Sequence, residues 1–152
     1  MSRLTRAGIT VELPSGWEGS ISGGGFQPLA DGALEPTVLH AASFPLPPER
    51  GSFGSGAVEF MSSRDVFMVL FEYAPESANT ALFITQGIPR PLDPGQFDRH
   101  ALQQGVPGQS GLQQFFTHNG RAFCLYTVLG SHIDRAELVQ IVNDVLATLE
   151  ID

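Results

Sequence analysis

Lysine is absent from the 152 residues. All eight basic residues are arginines, scattered along the chain against sixteen Asp and Glu, and the net charge is −8. Nucleic-acid binding needs clustered positive charge to displace counterions, and no such cluster exists here. The same shortage argues against adhesion to anionic membrane surfaces. Acidity by itself mainly confers solubility. There is one cysteine, Cys124, so no internal disulfide can form. No apolar run approaches the roughly 18 residues that a membrane span requires. An apolar signal core with a cleavage site is also missing behind Met1–Arg6, so a cytoplasmic location without membrane insertion is expected. Metal-ligand spacings such as His-x-x-x-His or Cys-x-x-Cys do not occur, and no metal or cofactor is expected.

What is present is the composition of a folded domain. The apolar fraction is 42% and the charged fraction 16%, with eleven Phe for one core. A chain of this length buries roughly 68–70% of its unfolded surface and needs no covalent staple. Residues 1–152 are expected to form one domain, with residues 1–8 flexible.

Ile9–Leu13 alternates apolar and polar residues and predicts a strand. Pro14-Ser15-Gly16 is turn chemistry, and Trp17–Ser22 is read as the returning strand. Gly23-Gly24-Gly25 ends regular structure. Thr37–Phe44 is a further strand, Pro45–Ser55 a loop, and Gly56–Met61 a short helical turn. Val66–Tyr73 is the strongest strand by composition. Its side chains alternate between faces: Val66, Met68 and Leu70 on one, Phe67, Val69, Phe71 and Tyr73 on the other. Both sets are apolar, so the strand is central and covered on both sides. Residues 75–110 are punctuated by Pro and Gly; a short strand at Ala81–Thr85 and a short helix begun by Asp93-Pro94 are the readings there.

Leu112–Leu129 reads as a hairpin about Asn119-Gly120, because a type I′ turn needs positive φ at both central residues. That turn pairs His118 with Arg121, Phe116 with Phe123 and Phe115 with Cys124. One face then holds Leu112, Phe116, Phe123, Leu125 and Leu129; the other holds Phe115, Cys124, Tyr126 and Val128. The last element is a helix capped by Ser131 or Asp134. Its stripe is Leu138, Val142, Val145 and Leu149, widened by Ile141 and Leu146. The class is α+β: an antiparallel sheet with a C-terminal amphipathic helix on one face. The other face needs cover from the N-terminal segment, from residues 75–110, or from a second chain.

The opening strand followed by Leu13-Pro14-Ser15-Gly16-Trp17 resembles the start of Mog/PsbP-like domains. The hairpin running into one terminal helix resembles their end. The resemblance rests on the two ends of the chain. It implies an α/β/α sandwich around an antiparallel sheet and a role without chemistry. Members of that group serve as photosystem assembly factors, Ran-GTPase binders and chaperones for membrane-inserting segments of type VI secretion effectors. No shared catalytic residues come with the family, so no catalytic set is expected.

Individual residues each carry a sharp and a bland reading. Cys124 would need a base from among His40, His100, His118 and His132 to act as a nucleophile. Its mid-strand position instead suits a small core residue. His118 and His132 read as solvated loop histidines. Ser22–Gly25 and Gly51–Gly56 would cradle an anion if their N–H groups were free, but they read as turns. Glu72 reads as a strand-end residue reaching solvent; if buried, it must pair with an Arg or carry a raised pKa. Most of the Phe supply packs the core. Trp17, Phe26, Phe44 and Phe53 lie beside loops and are the candidates for a partner surface. The expected function is a non-catalytic protein-binding, assembly or chaperone-like adaptor, with a homodimer through the less covered sheet face as one form. The alternative is a small-molecule or lipid-binding domain with an aromatic pocket.

Overall fold

The first two strands, β1 (Ser2–Arg6) and β2 (Ile9–Leu13), pair antiparallel across Ala7-Gly8. Both turn residues have positive φ, 53° and 77°, the geometry of a type I′ turn. The computed structural model describes residues 1–24 and 35–152. The expected flexibility of residues 1–8 is therefore replaced by a paired strand. β1 escaped notice because only Leu4 on it is even half-buried, so it shows no apolar alternation.

After β2, a turn closed by Trp17 N–H on Pro14 C=O at 3.1 Å leads to β3 (Glu18–Ser22). The strand does not return beside β2. Both edges of β2 are taken, one by β1 and the other by a short last strand, β8 (Glu150–Ile151). β3 therefore opens a second sheet, pairing with β4 (Val38–Ala42). The other members of that sheet are β5 (Val66–Glu72), β6 (Ser110–His118) and β7 (Arg121–Leu129), in the order β3-β4-β5-β7-β6. Every ladder in both sheets is antiparallel. The β6–β7 hairpin has the predicted register, His118 with Arg121 and Phe115 with Cys124. Helix α1 (Arg135–Leu146) follows, with Asp134 at its N-cap position. Asp134 makes no side-chain cap bond; Ser131 Oγ instead accepts its N–H at 3.2 Å.

The fold is thus α+β, with two antiparallel sheets and, among the described residues, one α-helix. The five-stranded sheet is apolar on both faces. On the first face, Leu39, Met68, Leu70, Phe123 and Leu125 meet β2, β8 and α1. Leu138, Val142, Val145, Leu146 and Leu149 come from the helix end, as its stripe predicts. Ile141 does not join them; it is 39% exposed, and Val139 takes the buried place. Ile88, Leu92 and Phe97 close the side of this core. Their segment is tied to α1 by Asn143, whose amide exchanges two hydrogen bonds with the backbone of Leu92, at 2.7 and 2.9 Å. Arg90 donates to the carbonyls of Leu146 and Leu149, where a cation satisfies the open end of a helix.

The second face carries Phe67, Val69, Cys124, Tyr126 and Val128. Its cover is the chain itself: Phe44, Leu46, Phe53, Val58 and Met61 from one long connection, Leu102 and Val106 from another. This removes the motive for a homodimer through that face. Among the described residues the cover is loop and 3-10 turn, with Val58–Phe60 forming the expected short turn. Ala81–Phe83 is also a 3-10 turn and not the strand expected at Ala81–Thr85. Pro94–Gln96 is a single turn opened by Asp93 in a capping box with Gln96.

Among the described residues, one ion pair ties β5 to β7 within the five-stranded sheet, and its arginine reaches across to the other sheet. Glu72 is 5% exposed and receives Arg121 Nε and Nη2 at 2.8 and 2.9 Å. Its expected reach to solvent is overturned, and the paired reading holds. Arg121 Nη2 also donates to Ala7 C=O at 2.8 Å, inside the β1–β2 turn. A Cβ on Gly8 would sit 2.7 Å from Arg121 Nη1, so glycine is needed there for space as well as for φ.

Candidate functional site

Cys124 sits in mid-β7 with no exposed surface. Burial pushes its thiol pKa up to about 12, the opposite of what a nucleophilic thiolate needs. It is a core residue. Among the described residues no group of three His, Cys, Asp or Glu converges as a metal site, and no helix is long and apolar enough to cross a membrane.

His132 is not simply solvated. Its Nδ1 lies 2.8 Å from Ser110 Oγ, and its N–H bonds Gly108 C=O. A serine–histidine pair invites a nucleophilic reading, but Ser110 has no exposed surface, so no substrate reaches its oxygen. The bond fastens the start of β6 to the loop that leads into α1. The Gly51–Gly56 stretch is likewise spent on itself. Gly51 N–H bonds Ser55 C=O, Gly54 N–H bonds Gly51 C=O, and Gly56 N–H bonds the Glu59 carboxylate at 2.9 Å. Three of the six N–H groups of the stretch are thereby committed within the loop.

Of the loop-side aromatics expected as a partner surface, Trp17, Phe44 and Phe53 can be placed. Phe44 is 6% exposed and packs on Phe67. Trp17 is half-buried against the first core, and Phe53 against the second. Phe26 lies outside the described residues. Phe53 stacks on Phe71 at 5.2 Å and meets Tyr126 edge-on at 5.8 Å. Phe71, Tyr73, Phe83 and Phe115 continue the chain of rings, at 5.0, 5.1 and 5.5 Å. Among the described residues, the large aromatic side chain that faces solvent is Phe60, at 73%. Nothing in the residue pattern announces this exposure, because a one-turn helix has no period from which to read a face.

Phe60 stands at one wall of an open apolar groove whose remaining lining is Phe44, Pro45, Leu46 and Pro47. Phe44, from the sequence candidates, thus contributes as floor. The groove keeps its shape because the chain on either side is pinned. Glu18 carboxylate accepts Leu46 N–H at 2.9 Å, and Phe60 and Met61 N–H close the 3-10 turn on Ala57 and Val58. Glu18 at one end and Glu59, next to Phe60, leave negative charge beside an apolar strip.

A second, polar cleft lies at the β3–β4 edge. It is lined by Ser20, Ser22, His40, Pro48, Arg50 and Ser52, among others. His40 is 7% exposed, and its Nε2 lies 2.7 Å from Ser52 C=O, which obliges that nitrogen to carry the proton. Nδ1 is then an acceptor, and Arg50 Nε donates to it at 2.8 Å. Desolvation lowers the His40 pKa, opposed by the Ser52 bond and reinforced by the Arg50 charge. The imidazole is a neutral strut behind a fixed guanidinium. Sequence reasoning had His40 only as a base for Cys124; both residues point to the second face, but the two rings of contacts are separate.

Comparison with protein-family models, with curated proteins and with solved structures finds no match.

Proposed function

We propose that the chain is a non-catalytic protein-binding or assembly module, in keeping with its resemblance to Mog/PsbP-like domains. Its docking face is the groove of Phe44, Pro45, Leu46, Pro47 and Phe60. The observation that carries this reading is Phe60, held 73% exposed beside a wall of prolines. Rigid aromatic and proline side chains lose little entropy when a partner covers them, and exposed aromatics of this kind dominate interface energies. The flanking Glu18 and Glu59, and the net charge of −8, select the occupant. It is an apolar segment of another protein flanked by Lys or Arg.

Quantitative affinity capture from the native host tests this with three baits: wild type, Phe60→Asp and Leu82→Asp. Leu82 is a control, 59% exposed and outside the groove. The expected result is one protein retained in near-stoichiometric amount by wild type and Leu82→Asp and lost with Phe60→Asp, its retention falling as salt rises. Equal recovery on all three baits overturns the reading.

A further inference from the structure

We propose that the cleft between β3, β4 and the Pro45–Ser55 connection is an oxoanion site that takes the phosphate group of a small molecule. Arg50 is the centre of the argument. A guanidinium has five N–H donors. Three are committed: Nε to His40 Nδ1 at 2.8 Å, Nη1 to Pro47 C=O at 2.6 Å, and Nη2 to Ser20 Oγ at 2.9 Å. One N–H remains on each terminal nitrogen, the pair that binds an oxoanion in bidentate fashion. The partners that fix the guanidinium are all neutral. Among the described residues, the ion pair is Glu72–Arg121, and no carboxylate reaches Arg50. A positive charge in a chain of net charge −8 is thus held rigid, with no carboxylate of the described residues against it.

The hydroxyls around it are donors in waiting. Ser20 Oγ accepts from Arg50, so its own proton is free to give. Among the described residues, Ser22 Oγ reaches only Val38 C=O, at a long 3.5 Å, and it is exposed. Ser52 also lines the cleft and is exposed. One bidentate arginine with three hydroxyls suits a tetrahedral, doubly charged group better than a flat carboxylate, which the arginine alone would saturate. Pro48 gives an apolar wall for whatever the phosphate is attached to. The cleft shares no lining residue with the Phe60 groove, and Ser22 lies on a strand that does not line that groove, so the Ser22→Ala titration and the Phe60→Asp capture fail or succeed separately.

Proton–nitrogen NMR titrations of the intact chain with inorganic phosphate, phenyl phosphate and acetate test the site. The Arg50 Nε–H resonance and the amides of Ser20, Ser22 and Ser52 are the reporters. Phosphate is expected to move them along saturable curves, with acetate much weaker. Phenyl phosphate binding more tightly than phosphate identifies an ester as the natural ligand; equal binding identifies free phosphate. Arg50→Gln abolishes the shifts. Because Arg50 also braces its loop, Ser22→Ala is the second variant, with a weakening of roughly two- to tenfold and an unchanged spectrum without phosphate. Absence of saturation, acetate binding as tightly as phosphate, or affinity unchanged in both variants overturns the proposal.

Discussion

The two faces of the five-stranded sheet are equally buried but differently covered. The first is met by regular elements, β2, β8 and α1, and its contacts are mainly aliphatic, with Phe97 and the stacked pair Phe116–Phe123 as its buried rings. The second is met by long connections, and its contacts are a chain of aromatic rings with a buried thiol and a buried histidine. Regular elements satisfy their own backbone groups before they dock. Connections must be tied down one bond at a time, by Tyr126 Oη on Gln103 N–H and by Arg50 on Pro47 C=O. The lesson is that burial is shared while anchoring is not. The groove and the cleft both belong to the singly anchored side, where loops are free to shape a surface.

Substitutions can break this contrast. The largest effect is expected from Arg121→Ala, which leaves Glu72 as an unpaired buried carboxylate and unlatches the β1–β2 turn. A loss of about 3–5 kcal/mol is expected from urea unfolding. Leu146→Ala, at a fully buried helix position of the first core, should cost about 2–5 kcal/mol. Its effect should reach every amide equally in hydrogen exchange, because α1 is integral to that face. Tyr126→Phe removes only the acceptor of the Gln103 N–H. About 1 kcal/mol is expected, with exchange accelerated in residues 101–106 and unchanged in α1. Uniform acceleration would show that the second face is as cooperative as the first.

Acidity provides a smaller lever on the same side. The His40 pKa is lowered in the folded state from its ordinary 6.5. Below 6.5 the unfolded chain therefore binds a proton that the folded chain refuses. Stability should fall as pH drops below 6.5 and level off once the folded value is passed. His40→Gln should flatten that stretch of the pH profile in thermal melts. The smallest expected effect is none at all: Cys124, with its thiol raised to about 12, should stay unmodified by a thiol reagent at neutral pH. Fast labelling without global unfolding would mean that the loop cover lifts off by itself.

The regular half of the molecule was legible in the sequence. Asn119-Gly120 set the register of β6 and β7, and two-residue alternation sorted the side chains of β5 and β7 onto their correct faces. Residues 75–110 were not legible, because they are placed by distant partners with no periodic trace. Arg90 is held by the end of α1 and Leu92 by Asn143. The candidate sites were hidden for the same reason. His40 stood out as a titratable residue, but Arg50 reaches it from another segment, and Ser20 in turn accepts from Arg50. Glu72 was read as exposed since nothing local announces Arg121, 49 residues on.

The placement of β2 between β1 and β8 has a kinetic consequence. Ile9 pairs with Ile151 and Thr10 with Glu150, so one edge of this strand waits for a partner made far later in translation. A ribosome-bound nascent chain would carry Ile9, Val11 and Leu13 paired with β1 alone, with β8 and α1 still unmade. Contacts of such sequence separation are the slow ones in folding. During translation this molecule would therefore present its aliphatic side, the better anchored one in the finished fold, as the side most in need of protection.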